Sequence, residues 1–185
     1  NTSGLLVIAK TAFAKAKLGM QFFNKTTKRT YNAVVWGNPK EETGTVVGNI
    51  TRNPRNRLQM CVSSDDNVGK YAVTHYRVLE RLSYVSLVEC NLETGRTHQI
   101  RVHMSHIGHP LLGDTVYGGG NTPFEKKHAA LLCGQCLHAG GLEFVHPTTG
   151  QAVSFTCPLP EDFQKLLAIL EAEAEAWCAK WFTTT

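Results

Sequence analysis

Long apolar runs are missing from these 185 residues. No stretch approaches the roughly 18 consecutive apolar residues of a membrane span, and the first positions lack the charged region and cleavage pattern of a secretory signal. The sequence therefore predicts a soluble, cytoplasmic protein with no membrane partner. Six cysteines (Cys61, Cys90, Cys133, Cys136, Cys157 and Cys178) lie scattered in apolar segments, a distribution that argues against a disulfide framework and for free, buried thiols in a reducing compartment. Repeats, low-complexity tracts and linkers are absent as well. With 42% hydrophobic residues the chain can bury a core of its own and reads as one domain over residues 1–185.

Several signatures of chemistry are also wanting. His103, His106 and His109 recur every third residue, a spacing that could set two imidazoles on one helix face with Asp114 nearby. Yet His109 adjoins Pro110, and no HExxH acid accompanies the pair, so no metal is expected. Cys133-Gly-Gln-Cys136 has no second pair to complete a zinc ribbon. Gly118 to Gly120 is not followed by the Gly-Lys-Ser/Thr and helix of a phosphate loop, and no Gly-x-Ser-x-Gly elbow presents a serine nucleophile. No cofactor is implied.

Charge is present but divided. Residues 1–110 hold 15 Lys and Arg against 7 Asp and Glu, whereas residues 111–185 hold 4 against 8, and no acid precedes Glu41. Two local clusters, Lys25/Lys28/Arg29 and Arg52/Arg55/Arg57, suit a polyanionic partner, with a plain solvated face as the alternative.

Periodicity sketches an α+β fold with a mixed, mainly antiparallel sheet and flanking helices. Gly4 to Ala9 reads as a buried strand. Thr11 caps an amphipathic helix to Phe23, with Phe13, Ala14, Leu18, Phe22 and Phe23 as its apolar positions. Alternation predicts strands over Lys28 to Trp36, Lys70 to Leu79 and Tyr84 to Leu92, and paired strands in Glu41 to Thr51 and Arg57 to Val62. His98 to His106 forms two helical turns, ended before Pro110, and a loop runs from Gly118 to Pro123. Short strands are expected over Cys133 to Ala139, Gly141 to Val145 and Ala152 to Thr156. Phe163 to Trp181 closes the chain as a helix whose apolar side holds Leu166, Leu167, Leu170, Ala174, Trp177 and Cys178.

The densest polar stretch is Leu92 to Gly118, with two arginines, four histidines, a Gly-Asp turn and a tyrosine. Within it, Thr94-Gly-Arg-Thr-His-Gln-Ile-Arg-Val-His103 resembles the third motif of the RluA-type pseudouridine synthases, which isomerise uridine in structured RNA. Asn1-Thr-Ser-Gly-Leu-Leu is similar to the tail of that family's His-Arg-Leu-Asp-x-x-Thr-Ser-Gly-Leu-Leu motif. Lys28-Arg-Thr-Tyr31-Asn-Ala-Val-Val resembles its tyrosine strand, and Gln135-Cys-Leu137-His-Ala139 its late Leu-His-Ala motif.

The resemblance implies the pseudouridine synthase catalytic-domain fold and catalytic roles for Tyr31, Arg101 and Leu137. Tyr31 would lie over the uracil and transfer protons, Arg101 would pair with the catalytic aspartate, and Leu137 would pack against the base, with His98 and Ile100 in the wall beside it. Lys28, Arg29, Arg52, Arg55 and Arg57 would contact RNA, ribosomal RNA by preference and transfer RNA as the alternative, and Arg96 would contact RNA or hold its loop. Gly113-Asp114 to Tyr117 would fix the turn behind the site. The family's catalytic aspartate would stand two residues before Asn1. Residues 1–185 are accordingly expected to be an N-terminally incomplete, inactive, monomeric catalytic domain without the S4-type RNA-binding domain that often accompanies it. A non-catalytic RNA-binding module of the same fold is the alternative.

Overall fold

The computed structural model describes residues 1–118 and 120–182. Its elements follow in the order β1 (Ser3–Gly4), α1 (Ala12–Phe23), β2 (Lys28–Trp36), β3 (Thr43–Arg52), β4 (Met60–Val62), β5 (Lys70–Leu82), β6 (Val85–Leu92), α2 (Gln99–His106), α3 (Pro123–Lys127), β7 (Leu137–Val145), β8 (Ala152–Thr156) and α4 (Glu161–Phe182). The strands form one eight-stranded sheet in the order β1-β7-β2-β6-β5-β3-β4, with β8 also on β7. Every pairing between these strands is antiparallel except β1 with β7, so the sheet is mixed and mainly antiparallel, as expected.

Alternation along β2 explains how this sheet acquires two cores. Successive side chains of a strand point to opposite faces. Ala33 and Val35 face one side, packing with Val88, Cys90, Ile100, Met104, Leu111 and Leu137, and Tyr31 joins this cluster. Val34 faces the other, packing with Val85, Leu112, Phe163, Leu166, Leu167 and Leu170. Helix α2 thus covers the Tyr31 face and α4 the reverse. A bulge between Val78 and Glu80 shifts the β5 register. It carries Val78 into the first cluster and Leu82, four residues on, into the second.

Four sequence expectations are corrected. Gly4 to Ala9 is not a buried strand: only Ser3–Gly4 pairs, with His138 and Ala139, and Leu6 and Ile8 are exposed. Gly4 has φ +97°, and a Cβ there would overlap the Ala139 carbonyl, so the chain turns off β7 at a position that requires glycine. In α1, Thr11 accepts from Ala14 N at 3.1 Å as an N-cap should, but Phe13 and Phe23 face solvent and only Leu18 is buried. The two strands expected across residues 133–145 are one, β7, carried through Gly140-Gly141 by a register shift against Thr30 and Tyr31. Along α4 none of residues 171–177 is buried, and Trp177 is exposed.

The short helix α3 was not anticipated, although Thr122 and Glu125 form a capping box with Pro123 in the first turn. The loop expected from Gly118 to Pro123 includes Gly119, which lies outside the described residues, as does the side chain of Cys178. The five described cysteines are free.

Candidate active site

Helix α2 carries Arg101 into the core because nothing on α2's inner turns is left exposed. Gln99 through Met104 are all buried, and eight residues are too few to be stable as an isolated helix, so tertiary contacts hold it. Gln99 anchors its first turn. The Gln99 amide oxygen accepts from Thr94 Oγ1 at 2.7 Å and Arg96 N at 2.9 Å, and its nitrogen donates to Val73 O at 2.8 Å and Thr74 Oγ1 at 3.0 Å. That single side chain ties the Thr94-Gly-Arg-Thr97 loop to β5. His98, at the N-cap, is left-handed with φ +58°.

Arg101 meets Asp114 edge-on. Its Nε donates to Oδ2 at 2.7 Å and its Nη2 to Oδ1 at 2.8 Å. The Asp114 side chain is fully buried, and its Oδ1 also accepts from Val116 N at 2.9 Å and Tyr117 N at 3.0 Å. Burial by itself would raise the Asp114 pKa. The guanidinium and the two amides overturn that and hold it below the ordinary carboxylate value. Arg101 in turn lies 4.9 Å from the Tyr117 ring centroid, a cation–π contact. The Tyr117 hydroxyl accepts from Met60 N and meets His98 Nδ1, both at 2.9 Å. An acid, a base, a phenol and an imidazole are thereby locked into one network.

Tyr31 reaches the same region from β2, opposite Cys90 on β6 and Ala139 on β7, beside the register shift on β7. Burial pushes its phenol above the ordinary tyrosine value, and the positive charge of Arg29 offsets part of that rise. Tyr31, Arg101 and Leu137 line one open cleft of about 650 Å³ together with Arg29, Arg96 and residues 1–7. Arg29 sits 5.3 Å over the Phe22 ring and directs Nη2 toward the carbonyls of Leu92 and Glu93 at 3.4 and 3.3 Å. Its Nε is buried with no partner in the protein. The described residues lining the cleft include no aspartate or glutamate.

Residues 1–106 match the family model described as RNA pseudouridylate synthase. The chain belongs to that family. It is 49% identical over 175 residues to the ribosomal large subunit pseudouridine synthase D of Zymomonas mobilis, covering 92% of this chain and 53% of that protein. It is 46% identical over 176 residues to an uncharacterized RNA pseudouridine synthase of Chlorobaculum parvum, covering 90% and 54%. The chain thus spans about half the length of the curated relatives it matches. Among solved structures, human RNA pseudouridylate synthase domain containing 1 superposes with a TM-score of 0.65 at 27% identity, covering 89% of this chain and 74% of that one.

Set in this pseudouridylate synthase family, the residues singled out in the sequence divide into two groups. Tyr31, Arg101, Leu137, Arg29 and Arg96 come together on the cleft with His98 and Ile100. Arg96 Nε also donates to Tyr71 O at 2.9 Å, which ties down its loop. Lys28 stands outside, paired with Glu143 at 3.1 Å; Arg52 ends β3 and Arg55 and Arg57 follow in the β3–β4 connection, and none of the three lines the cleft. The histidines of the recurring triplet part company: His103 Nδ1 meets Thr74 Oγ1 at 3.0 Å and His109 Nδ1 meets Trp36 O at 2.9 Å. What the sequence does not reveal is the pairing of Asp114 with Arg101. The Gly-Asp turn stands out by composition, but nothing in a one-dimensional pattern links it to an arginine 13 positions earlier.

Proposed function

We propose that the protein is an RNA pseudouridine synthase that isomerises uridines of structured RNA, ribosomal RNA by preference and transfer RNA as the second candidate. The observation that carries this is the meeting of a half-buried tyrosine, a fixed arginine and an apolar leucine on one open cleft that Arg29 and Arg96 also line. A base can be reached in such a cleft only after its nucleotide is turned out of the stack. Tyr31, whose phenol burial pushes above the ordinary tyrosine value, stacks on the uracil and passes protons. Leu137 closes the apolar side of the pocket. The reaction breaks C1′–N1, rotates the ring and forms C1′–C5; the C5 proton leaves to solvent and N1 takes one up. No cofactor takes part in these steps.

Asp114 occupies the Nε and Nη2 edge of Arg101, which leaves Nη1 for a second carboxylate, the one that the family's Arg-Leu-Asp motif supplies. The cleft-lining residues contribute no acid of their own. This supports a reading in which residues 1–185, one catalytic domain acting as a cytoplasmic monomer, bind RNA and by themselves do not turn it over. The same observation keeps the non-catalytic RNA-binding module as the second reading. Lys28, Arg52, Arg55 and Arg57 extend the phosphate contacts beyond the cleft, with affinity falling as salt rises.

Release of tritium from ribosomal RNA labelled at uridine C5 tests both. Residues 1–185 are expected to release none, and the product of the intact gene to release it until Arg101→Met or Tyr31→Phe abolishes turnover. Release by residues 1–185 would sink the carboxylate argument. Unchanged pseudouridine in the RNA of a gene-deleted strain would sink the enzymatic reading and leave the binding module.

A further inference from the structure

Helix α1 borders the cleft and yet is barely covered. Of its twelve residues only Leu18 is buried. Ala16 and Lys17 lie three and four residues after Phe13, Met20 follows them at four and three, and Phe23 three further on, which lines the five up on one face, away from Leu18 and Phe22. On that face Phe13 is 55% exposed, Met20 59% and Phe23 87%. Single exposed apolar residues are ordinary, but a continuous stripe of three large ones marks a contact surface.

The ground around the stripe is uniformly basic. Residues 1–40 contain six lysines, one arginine and no acid. Lys25 and Lys28 are paired with Glu93 and Glu143; among the described residues Lys10, Lys15 and Lys17 form no ion pair. Lys17 Nζ stands 5.7 Å from the Phe13 ring centroid. An apolar protein surface laid on this stripe would leave those ammonium groups without a role. A single-stranded nucleic acid would use both features, its bases stacking on aromatic rings while its phosphates follow the lysines. The helix is also continuous with the cleft: Leu5, Leu6 and Val7 lead into it from the cleft wall, and Phe22 in its last turn lines that wall.

We propose that the outward face of α1, with Phe13, Met20 and Phe23 beside Lys17 and with Lys10 just ahead of the helix, is a stacking platform for unpaired nucleotides of the RNA whose base the cleft holds. The proposal rests on the RNA reading of that cleft. Fluorescence anisotropy with a labelled single-stranded oligouridylate, run on the 185-residue chain across a salt series, tests it. The double variant Phe13→Ala/Phe23→Ala is expected to bind about tenfold more weakly with the salt slope unchanged and thermal melting intact. Lys10→Gln/Lys17→Gln is expected to lower the slope of log affinity against log salt by about 0.7 for each phosphate that is no longer neutralised. Heparin, which offers charge without bases, is expected to bind the phenylalanine variant as it binds the parent. If the parent binds oligouridylate and the phenylalanine variant binds it equally, the platform is overturned while the cleft reading stands. If the parent binds none, both fall. Sedimentation showing a dimer that Phe23→Ala dissolves would assign the stripe to a second copy of the chain and overturn the proposal.

Discussion

Helices α2 and α1 both border the cleft, and they are held there by opposite means. Six consecutive residues of α2, Gln99 to Met104, are buried, and the polar ones among them that face the cleft, Gln99 and Arg101, have protein partners in hydrogen-bond geometry. Helix α1 buries one side chain and turns phenylalanine, methionine and lysine outward. The first is the construction of a group whose position matters to a fraction of an ångström; the second suits a surface that receives a flexible partner. Disturbing α2 should therefore cost folding free energy before anything else, and disturbing α1 should cost binding.

The largest effect is expected at Asp114. Asp114→Ala leaves the Arg101 guanidinium buried without its partner, a situation that typically costs ~3–5 kcal/mol, and strips the Val116 and Tyr117 amides of their acceptor. Urea denaturation followed by circular dichroism measures it. Adding Arg101→Met to an Asp114→Leu chain is expected to recover most of the loss, since removing both charges of a buried pair is far cheaper than removing one. A single variant as stable as the parent would show that water reaches Arg101 and that α2 is as loosely held as α1.

On the α1 side the greatest loss should come from Leu18→Ala. As the helix's one buried residue it is the anchor, and truncating a buried leucine typically costs ~2–5 kcal/mol; an anchor near the surface falls at the low end. Hydrogen exchange is the sharper readout. Amide protection in α1 is expected to collapse while that in α2 persists, because a helix of this length has little stability apart from its packing.

Acidification should separate the two helices in the other direction. Burial lowers the pKa of both His98 and His103, with the Arg101 charge adding to the effect at His98 and His106 adding to it at His103. In the unfolded chain both take up a proton near the ordinary value of 6.5, whereas the folded chain resists it. Their contribution to stability is thus complete above that value and is lost as pH falls below it. Protonating His98 sets a second positive charge beside the Arg101 guanidinium, so the network under Arg101 loosens. Asp114, whose folded pKa is depressed, loses its own contribution only at pH values below the ordinary carboxylate value. Helix α1 itself carries only lysines as titratable groups. Denaturation midpoints from about pH 7.5 down to about pH 5.5 should fall, with exchange protection in α2 lost ahead of that in α1. A midpoint flat across this range would mean that neither histidine is held neutral.

The same contrast explains what could be read from the sequence. Strands β2, β5 and β6 were legible because each has a dry face and the period of two is written in Tyr31-Ala33-Val35 and Val88-Cys90-Leu92. The candidate site was legible in its residues, Tyr31, Arg101 and Leu137, through a resemblance of motifs and not through any physical signal in the residues alone. Helix α1 was legible as a helix, and misread as to burial: the count of apolar positions includes Phe13 and Phe23 whether or not a neighbour covers them. Gly4 to Ala9 failed for a related reason, since apolar character alone cannot tell a strand from a segment leaving the sheet at a left-handed glycine. The β5 bulge and the Arg101–Asp114 pair were out of reach because both depend on three-dimensional register.

The smallest expected effect is the most exposed phenylalanine. Phe23→Ala removes a ring that is 87% exposed, so little buried apolar area is lost, and alanine is the better helix former. The change in unfolding free energy should stay within about 0.5 kcal/mol, as for ordinary surface positions. The same urea titration that detects Asp114→Ala has the resolution to bound it. Stability unaltered together with weakened oligouridylate binding would place the ring's value entirely in contact with a partner. A loss beyond ~1 kcal/mol, on the other hand, would mean that Phe23 is packed in solution. The stripe on α1 would then be part of the core, and the difference between the two helices would be one of degree.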